Sequence, residues 1–313
     1  MRAPTADLPR SARAAGVLLA ATGAIAYGVA TVIGRQLASA GVDSAIALGT
    51  RFTIAAALLG AVLALRGARL RPSRGEWGRI VALGAFGYTL ESTLFYLSLQ
   101  RGTTAACVLL FYAYPAIVAA IEFARGNEPL TAATATALAL SVAGTTVVVA
   151  TGSDVSITNT GVMLALGSAA AYALYLVVGR QLGRRTDAMT AACWVAVGAA
   201  AASLARGLVG GTLTAPSDHL LALIAYGVST AAAFGLTFAA LARIGASHTA
   251  VVMTLEALSA VVLAAIFLHE NISAIQTVGG SAIVAAAAII AWTHHASAQV
   301  AAAPEPLLSE STH

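Results

Sequence analysis

From residue 14 to residue 293 the chain is a succession of apolar stretches, ten of them, each about 20 residues long. They run approximately 14–37, 44–65, 77–99, 103–124, 130–150, 159–181, 187–209, 219–242, 247–268 and 273–293. At about 1.5 Å per residue, each is long enough to cross about 30 Å of hydrocarbon. A backbone in lipid must satisfy its own hydrogen bonds, so such stretches are helices. Composition agrees: 59% of residues are apolar and 10% charged, against about 45–50% and about 25% in soluble domains. That excludes a soluble globule, a disordered chain and a disulfide scaffold. The expected fold is an all-α membrane protein with ten transmembrane helices, the lipid bilayer being its first partner.

The gaps between the stretches carry the polar residues. Residues 66–75 hold four arginines, 126–129 read Gly-Asn-Glu-Pro, and 216–218 read Pro-Ser-Asp, with turn and cap chemistry in the last two. The first run, from Ala14 to Ile33, exceeds the about 7–15 residues of a signal-peptide core, so it is expected to remain as the first span. All 17 basic residues are arginine, and the pI is near 9.4. In a soluble chain that balance would suggest nucleic acid. Here the arginines mark loops, and no nucleic-acid partner is expected. With the N-terminus in the cytoplasm, 13 arginines fall inside, three outside (Arg35, Arg101, Arg206), and Arg51 lies within the second span. The positive-inside rule favours that orientation, and an even number of spans returns the C-terminus to the cytoplasm. Cys107 and Cys193 both sit in apolar stretches and read as free, buried thiols.

The chain also repeats itself. Gly16–Leu37 and Gly161–Leu182 share 12 of 22 residues at an offset of 145, including Tyr27 with Tyr172 and the whole Gly-Arg-Gln-Leu block. At an offset of 142, Arg101 matches Arg243 and Glu128 matches Glu270. A repeat of five spans, an odd number, starts once inside and once outside, so the two halves are inverted. Inverted repeats about a midplane site are the architecture of many secondary transporters. The expected organisation is a cytoplasmic tail (1–13), a first five-helix repeat (14–150), an outside loop (151–158), a second repeat (159–295) and a cytoplasmic tail (296–313).

These features carry a family resemblance. The ten short spans in two halves, Arg51-Phe52 near the start of the second span, and two matching stretches resemble the EamA-like branch of the drug/metabolite transporter superfamily. The first stretch runs from Tyr96 through Ala105-Ala106, Pro115 and Glu128. The second runs from Phe238 through Ala246-Ser247, Glu256 and Glu270. The resemblance covers about residues 14–295. It implies a transporter of small metabolites in the bacterial inner membrane, with export of amino acids or related compounds more frequent than uptake. Relatives often carry Glu-Pro in the ninth span, where this chain has Glu256-Ala257.

Ionisable groups in lipid cost at least about 2.5–3.5 kcal/mol, so they face a cavity or a partner. Arg51, Glu91, Glu122 and Glu256 qualify. Glu256 shares a helical face with Thr249, Val252 and Ser259, which suits either a cavity-facing carboxylate for substrate or proton coupling, or a bond to a neighbouring helix. Arg51 and Glu91 lie at similar depth, about 10–14 Å from the outer ends, and are expected to pair, as a structural bridge or as part of a site. Glu122 is expected to pair locally with Arg125. Pro115 removes a helix hydrogen bond and predicts a kink beside Phe111, Tyr112 and Tyr114. Tyr27 and Tyr172, with Tyr175 on the latter's face, are mid-span hydroxyls that need inward partners. The candidate substrate-binding residues are therefore Glu256, Glu91, Arg51, Tyr27, Tyr172, Tyr175, Phe111 and Tyr114.

Enzyme signatures are missing from the sequence. His269-Glu270 is not followed by a second histidine at HExxH spacing, and there is no GxSxG, Walker loop or CxxC. No cofactor, metal or catalytic residue is expected. An intramembrane enzyme would need a nucleophile–base pair or a metal cluster. A scaffold would need neither an inverted repeat nor buried charge. A secondary transporter with a small-molecule substrate is the reading that uses all of these features, its alternatives being an uptake permease for another small metabolite or drug, or a non-transporting membrane scaffold.

Overall fold

The structure is a computed structural model, which describes residues 10–126, 157–182, 185–213, 217–253 and 255–271, with helical pieces between 132 and 147 and between 274 and 289. The regular elements among these residues are helices: α1 (Arg10–Ser39), α2 (Ser44–Leu65), α3 (Trp77–Leu99), α4 (Thr104–Phe111), α5 (Tyr114–Ala124), α6 (Asn159–Leu182), α7 (Ala188–Val209), α8 (Leu220–Met253) and α9 (Leu255–Phe267). The fifth and tenth predicted spans fall largely outside the described residues, as do the tails and most of the loop 151–158.

Among the described residues, six segments are long and apolar enough to cross a membrane: Ala14–Ser39, Ser44–Leu65, Trp77–Leu99, Asn159–Gly179, Ala188–Val209 and Leu220–Ala240. They coincide with the first three and the sixth to eighth predicted spans. The fourth predicted span is instead two short helices, α4 and α5, parted at Tyr112–Ala113. Pro115 lies in the first turn of α5, where its missing N–H is tolerated. The gap expected at 243–246 is helical, since α8 runs on to Met253. It is not a straight rod, however. Thr237 Oγ1 lies 3.6 Å from Met253 Sδ, whereas 16 residues of straight helix would separate them by about 24 Å. The helical path folds back on itself between them.

Side-chain caps set several starts. Asp43 accepts from Ala45 N–H ahead of α2, and Asp187 accepts from Met189 and Thr190 N–H ahead of α7, one cap in each half. The turns gather at two ends of the bundle. At one end Thr212 donates to Asp43, Thr158 N–H donates to the Arg101 carbonyl, and Glu270 meets Thr104. At the other, Glu76 accepts from Arg185 N–H and the Thr186 hydroxyl, Thr190 donates to the Arg69 carbonyl, and Trp194 donates to the Leu70 carbonyl. Arg66, Arg69, Arg71 and Arg74 are exposed at this second end.

Glycines set the register between halves. Along α1, Gly16 faces Ile244, Gly23 faces Thr237 and Gly34 faces Tyr226, an antiparallel contact with α8. Along α6, Gly161 faces Arg101, Gly167 faces Leu94 and Gly179 faces Leu83, an antiparallel contact with α3. Each copy of the repeated sequence thus lies along the third helix of the other half. Between them α2 packs on α7, with Gly49 against Leu204 and Cys193 Sγ donating to the Ala56 carbonyl. Both cysteines are free and buried, as read from the sequence.

The tightest approach is at α3, where Leu83–Tyr88 forms a π-helical turn. A Cβ on Gly84 would lie 2.1 Å from the Val195 carbonyl oxygen, and one on Gly198 would lie 2.2 Å from that of Val81. The two backbones therefore meet with no side chain between them. The Gly84 carbonyl accepts both from the Thr89 N–H, across the wide turn, and from the Thr89 hydroxyl. Large apolar side chains such as Leu18, Phe86, Met163, Leu208 and Leu221 are exposed on the outside of the bundle. In a chain of this composition that surface is the lipid face.

Candidate functional site

Arg51 is held from α8. Its Nε donates to Thr230 Oγ1 and its Nη1 to the Tyr226 hydroxyl, both at 2.8 Å. The guanidinium carbon lies 4.6 Å from the Tyr226 ring centre and 5.2 Å from that of Phe52. Thr230 donates its own proton to the Tyr226 carbonyl one turn earlier, so its oxygen is oriented to accept from Arg51.

Glu91 turns the other way. It accepts from Ser92 Oγ at 2.7 Å and from Ser168 Oγ of α6 at 3.4 Å, and Ser168 also reaches the Glu91 carbonyl at 3.1 Å. The expected Arg51–Glu91 bridge is therefore not made. Among the described residues the ion pair within 4 Å is Arg35–Glu270. The reason lies in the partners: α8 offers Arg51 a hydroxyl pair at the right height, and α6 offers Glu91 a buried serine. The two charges remain within electrostatic reach of each other.

Glu256 opens α9 and accepts from the Tyr112 hydroxyl at 3.3 Å, while that hydroxyl also approaches the Met253 carbonyl at 3.2 Å. Ser259, on the predicted polar stripe, donates to the Glu256 carbonyl and lies 3.4 Å from the Ala24 carbonyl of α1. The break before Pro115 is what releases Tyr112 and Tyr114 from a continuous helix. Glu256 is also within electrostatic reach of Tyr27, Tyr88, Tyr114, Glu91 and Arg51. The side chain of Glu122 lies outside the described residues.

Aromatic rings connect these charges. Tyr172 stacks on Tyr175 at 5.7 Å and meets Tyr114 edge-on at 4.8 Å; Phe111 lies 5.4 Å from Tyr172 and 5.3 Å from Tyr114. Tyr88 joins Tyr175 at 5.3 Å to Phe52 at 5.4 Å and to Phe234 at 6.1 Å, and Phe234 touches Tyr27 at 5.8 Å. The structure thus gathers all eight predicted residues into one region built from both halves. Tyr27, Arg51, Phe111, Tyr114, Tyr172, Tyr175 and Glu256 are part-exposed there, while Glu91 is buried.

Sequence reasoning passed over Tyr88, Phe234, Tyr226 and Thr230. The last two had a visible signal: a hydroxyl pair at i, i+4 on one face of an uncharged span. Tyr88 owes its place to the π turn, a device common at functional sites and not readable from apolar periodicity. Among the described residues no group of three or more His, Cys, Asp or Glu side chains could hold a metal.

The chain is similar to known proteins over most of its length. The model of the EamA-like transporter family matches twice, over residues 14–150 and 159–292. The threonine/homoserine exporter RhtA of Escherichia coli (strain K12) is 30% identical over 212 residues, which cover 66% of this chain and 67% of the exporter. RhtA of Salmonella typhimurium (strain LT2) is 29% identical over the same length. One solved crystal structure aligns with a TM-score of 0.63 over 90% of this chain and 98% of its own, at 18% identity, which shows a shared fold alone.

Proposed function

The chain belongs to the EamA-like transporter family, and on that premise we propose that it exports an amino acid or a closely related zwitterion across the bacterial inner membrane. The coarser statement needs no proposal: this is a multi-pass membrane transporter of small metabolites, and its relatives are transporters, not enzymes. The finer reading is alternating access between two inverted five-helix halves, 14–150 and 159–295, with both termini cytoplasmic.

The observation that carries it is the convergence of one cation and two carboxylates among tyrosines, with groups from both halves. Arg51 donates through Nε and Nη1 to the protein, and a guanidinium has five N–H donors, so further N–H groups suit a substrate carboxylate. Glu256 and Glu91 offer acceptors for an ammonium group, and the rings of Tyr27, Tyr172, Tyr175, Tyr114 and Phe111 give walls for an apolar or cationic body. Matched antiparallel contacts of α1 on α8 and α6 on α3 support two halves that can rock against each other. Glu256 is assigned proton coupling, because it sits where both halves meet and holds a tyrosine hydroxyl as a bonded neighbour.

Counterflow in proteoliposomes tests this. Vesicles loaded with threonine or homoserine, the substrates in the relatives' names, should accumulate the labelled amino acid in trade. Cells over-producing the protein should tolerate higher levels of both. Absence of exchange across a panel of amino acids, with exchange of an anionic or sugar substrate instead, would reject the zwitterion reading.

A further inference from the structure

The loop that joins α2 to α3 is held in place by its main chain. It turns at Gly67 and Gly75, whose φ of 61° and 87° suit glycine. Between them the backbone is bonded to the start of α7, in the second half of the chain. Thr190 donates to the Arg69 carbonyl at 2.9 Å, and Trp194 Nε1 to the Leu70 carbonyl at 2.7 Å. Ser73 N–H donates to Thr186 Oγ1, and Ser73 Oγ to the Arg185 carbonyl, both at 3.0 Å. The loop therefore presents its side chains from a fixed frame.

Those side chains are of two kinds. Arg66, Arg69, Arg71, Arg74 and, in the first turn of α3, Arg79 are exposed. Among the described residues none of their guanidinium groups has a hydrogen-bond or ion-pair partner. The carboxylates beside them are engaged elsewhere. Glu76 is buried and accepts from Arg185 N–H and the Thr186 hydroxyl, and Asp187 caps α7. The apolar kind is exposed as well: Leu65 at 88%, Leu70 at 45% and Trp77 at 53%. Trp77 meets the Trp194 ring edge-on at 5.6 Å, and Trp194 is bonded to the Leu70 carbonyl, so Trp77 stands beside the arginine loop.

We propose that this loop is a binding site for an anionic phospholipid, with the phosphate headgroup on the arginines and the adjoining glycerol and acyl chain against Trp77 and Leu70. The loop joins the ends of two spans directly, so its arginines stand at headgroup depth. A guanidinium pairs with two phosphate oxygens through parallel N–H bonds. A tryptophan at the edge of the hydrocarbon has an apolar neighbour on one side and a polar one on the other. Basic residues clustered beside a span are drawn to anionic headgroups. Orientation in the membrane would be served by basic residues on any slack loop. It requires neither a main chain bonded to α7 nor a tryptophan pair beside the arginines. The proposal is independent of the substrate and of the transport mechanism.

Brominated lipids quench tryptophan on contact, which gives the test. The chain carries Trp77, Trp194 and Trp292, so in a Trp292→Phe background the fluorescence reports on this loop. The full chain is reconstituted in vesicles of phosphatidylglycerol and phosphatidylcholine at equal mole fractions, with one lipid or the other brominated. Quenching should be several-fold stronger from brominated phosphatidylglycerol. Arg66→Gln, Arg69→Gln, Arg71→Gln and Arg74→Gln together should bring the two lipids to parity. Where that variant fails to insert, Arg69→Gln with Arg71→Gln should lower the preference. Arg101→Gln, at the opposite end of the bundle, should leave it unchanged. Equal quenching by the two lipids in the parent protein overturns the proposal. A preference that survives the loop substitutions, or falls as far in Arg101→Gln, does the same. So does loss of the preference in excess inorganic phosphate, which would make the loop a site for free phosphate instead of lipid.

Discussion

The Tyr226 hydroxyl accepts from Arg51 Nη1 at 2.8 Å while the guanidinium carbon stands 4.6 Å from the centre of the same ring. One side chain thus satisfies a part-buried cation as both a polar and a π partner, across the contact between α2 and α8. Tyr226→Phe keeps the ring and deletes the hydroxyl. A hydrogen bond to a charged group contributes about 1.5–3 kcal/mol, so this variant should unfold earlier in a detergent thermal melt by that margin. An unchanged melt would mean that Arg51 finds another acceptor.

Arg51 and Glu91 have separate partners, which predicts the outcome of a double-mutant cycle. Arg51→Leu and Glu91→Leu should each destabilise, and the double variant should be no better than the worse single one. Arg51→Leu with Thr230→Val should instead couple by about 0.5–3 kcal/mol, as residues in contact do. Rescue in the Arg51–Glu91 double variant would restore the direct bridge that the side-chain geometry denies.

Glu256→Gln retains an acceptor for Tyr112 and removes the exchangeable charge. It should insert and accumulate like the wild type, keep passive counterflow, and lose accumulation driven by a pH gradient. Equal pH-driven accumulation at equal protein level would make Glu256 a packing residue and turn attention to Glu91.

Gly84→Ala tests the closest backbone approach. Its Cβ would stand 2.1 Å from the Val195 carbonyl oxygen, and a backbone atom cannot rotate away. Overpacking of this kind costs about 1–3 kcal/mol or more. The expected result is loss of monodisperse protein in detergent chromatography. Gly78→Ala, where a Cβ meets open space, is the control and should be tolerated.

Topology is tested by reporter fusions. An enzyme active only in the periplasm should work when inserted at Thr158 and fail at the C-terminus, and a cytoplasmic reporter should do the reverse. A periplasmic C-terminus would be falsifying for the ten-span reading.

Apolar length and the repeat were legible before any coordinates, because hydrocarbon thickness and backbone hydrogen bonding allow few answers to a stretch such as 44–65. The residues worth asking about were legible for the same reason: Arg51, Glu91 and Glu256 are costly in lipid wherever they point. Pro115 announced a break through its missing N–H. What periodicity could not supply was partner choice. Arg51 and Glu91 sit at equal depth in neighbouring spans, and charge alone pairs them. Only the packing of α8 against α2 and of α6 against α3 sends one to Tyr226 and Thr230 and the other to Ser168. Likewise the sequence marks 243–246 as a gap, while the contact of Thr237 with Met253 shows a helical path that reverses. The sequence determined that this is a chain of apolar helices suited to the bilayer, six of them long enough to span it among the described residues, and which groups are costly in lipid. The tertiary structure decided which of those groups meet, because that depends on the rotation and register of one helix against another, set here by glycines at crossings far apart in the chain.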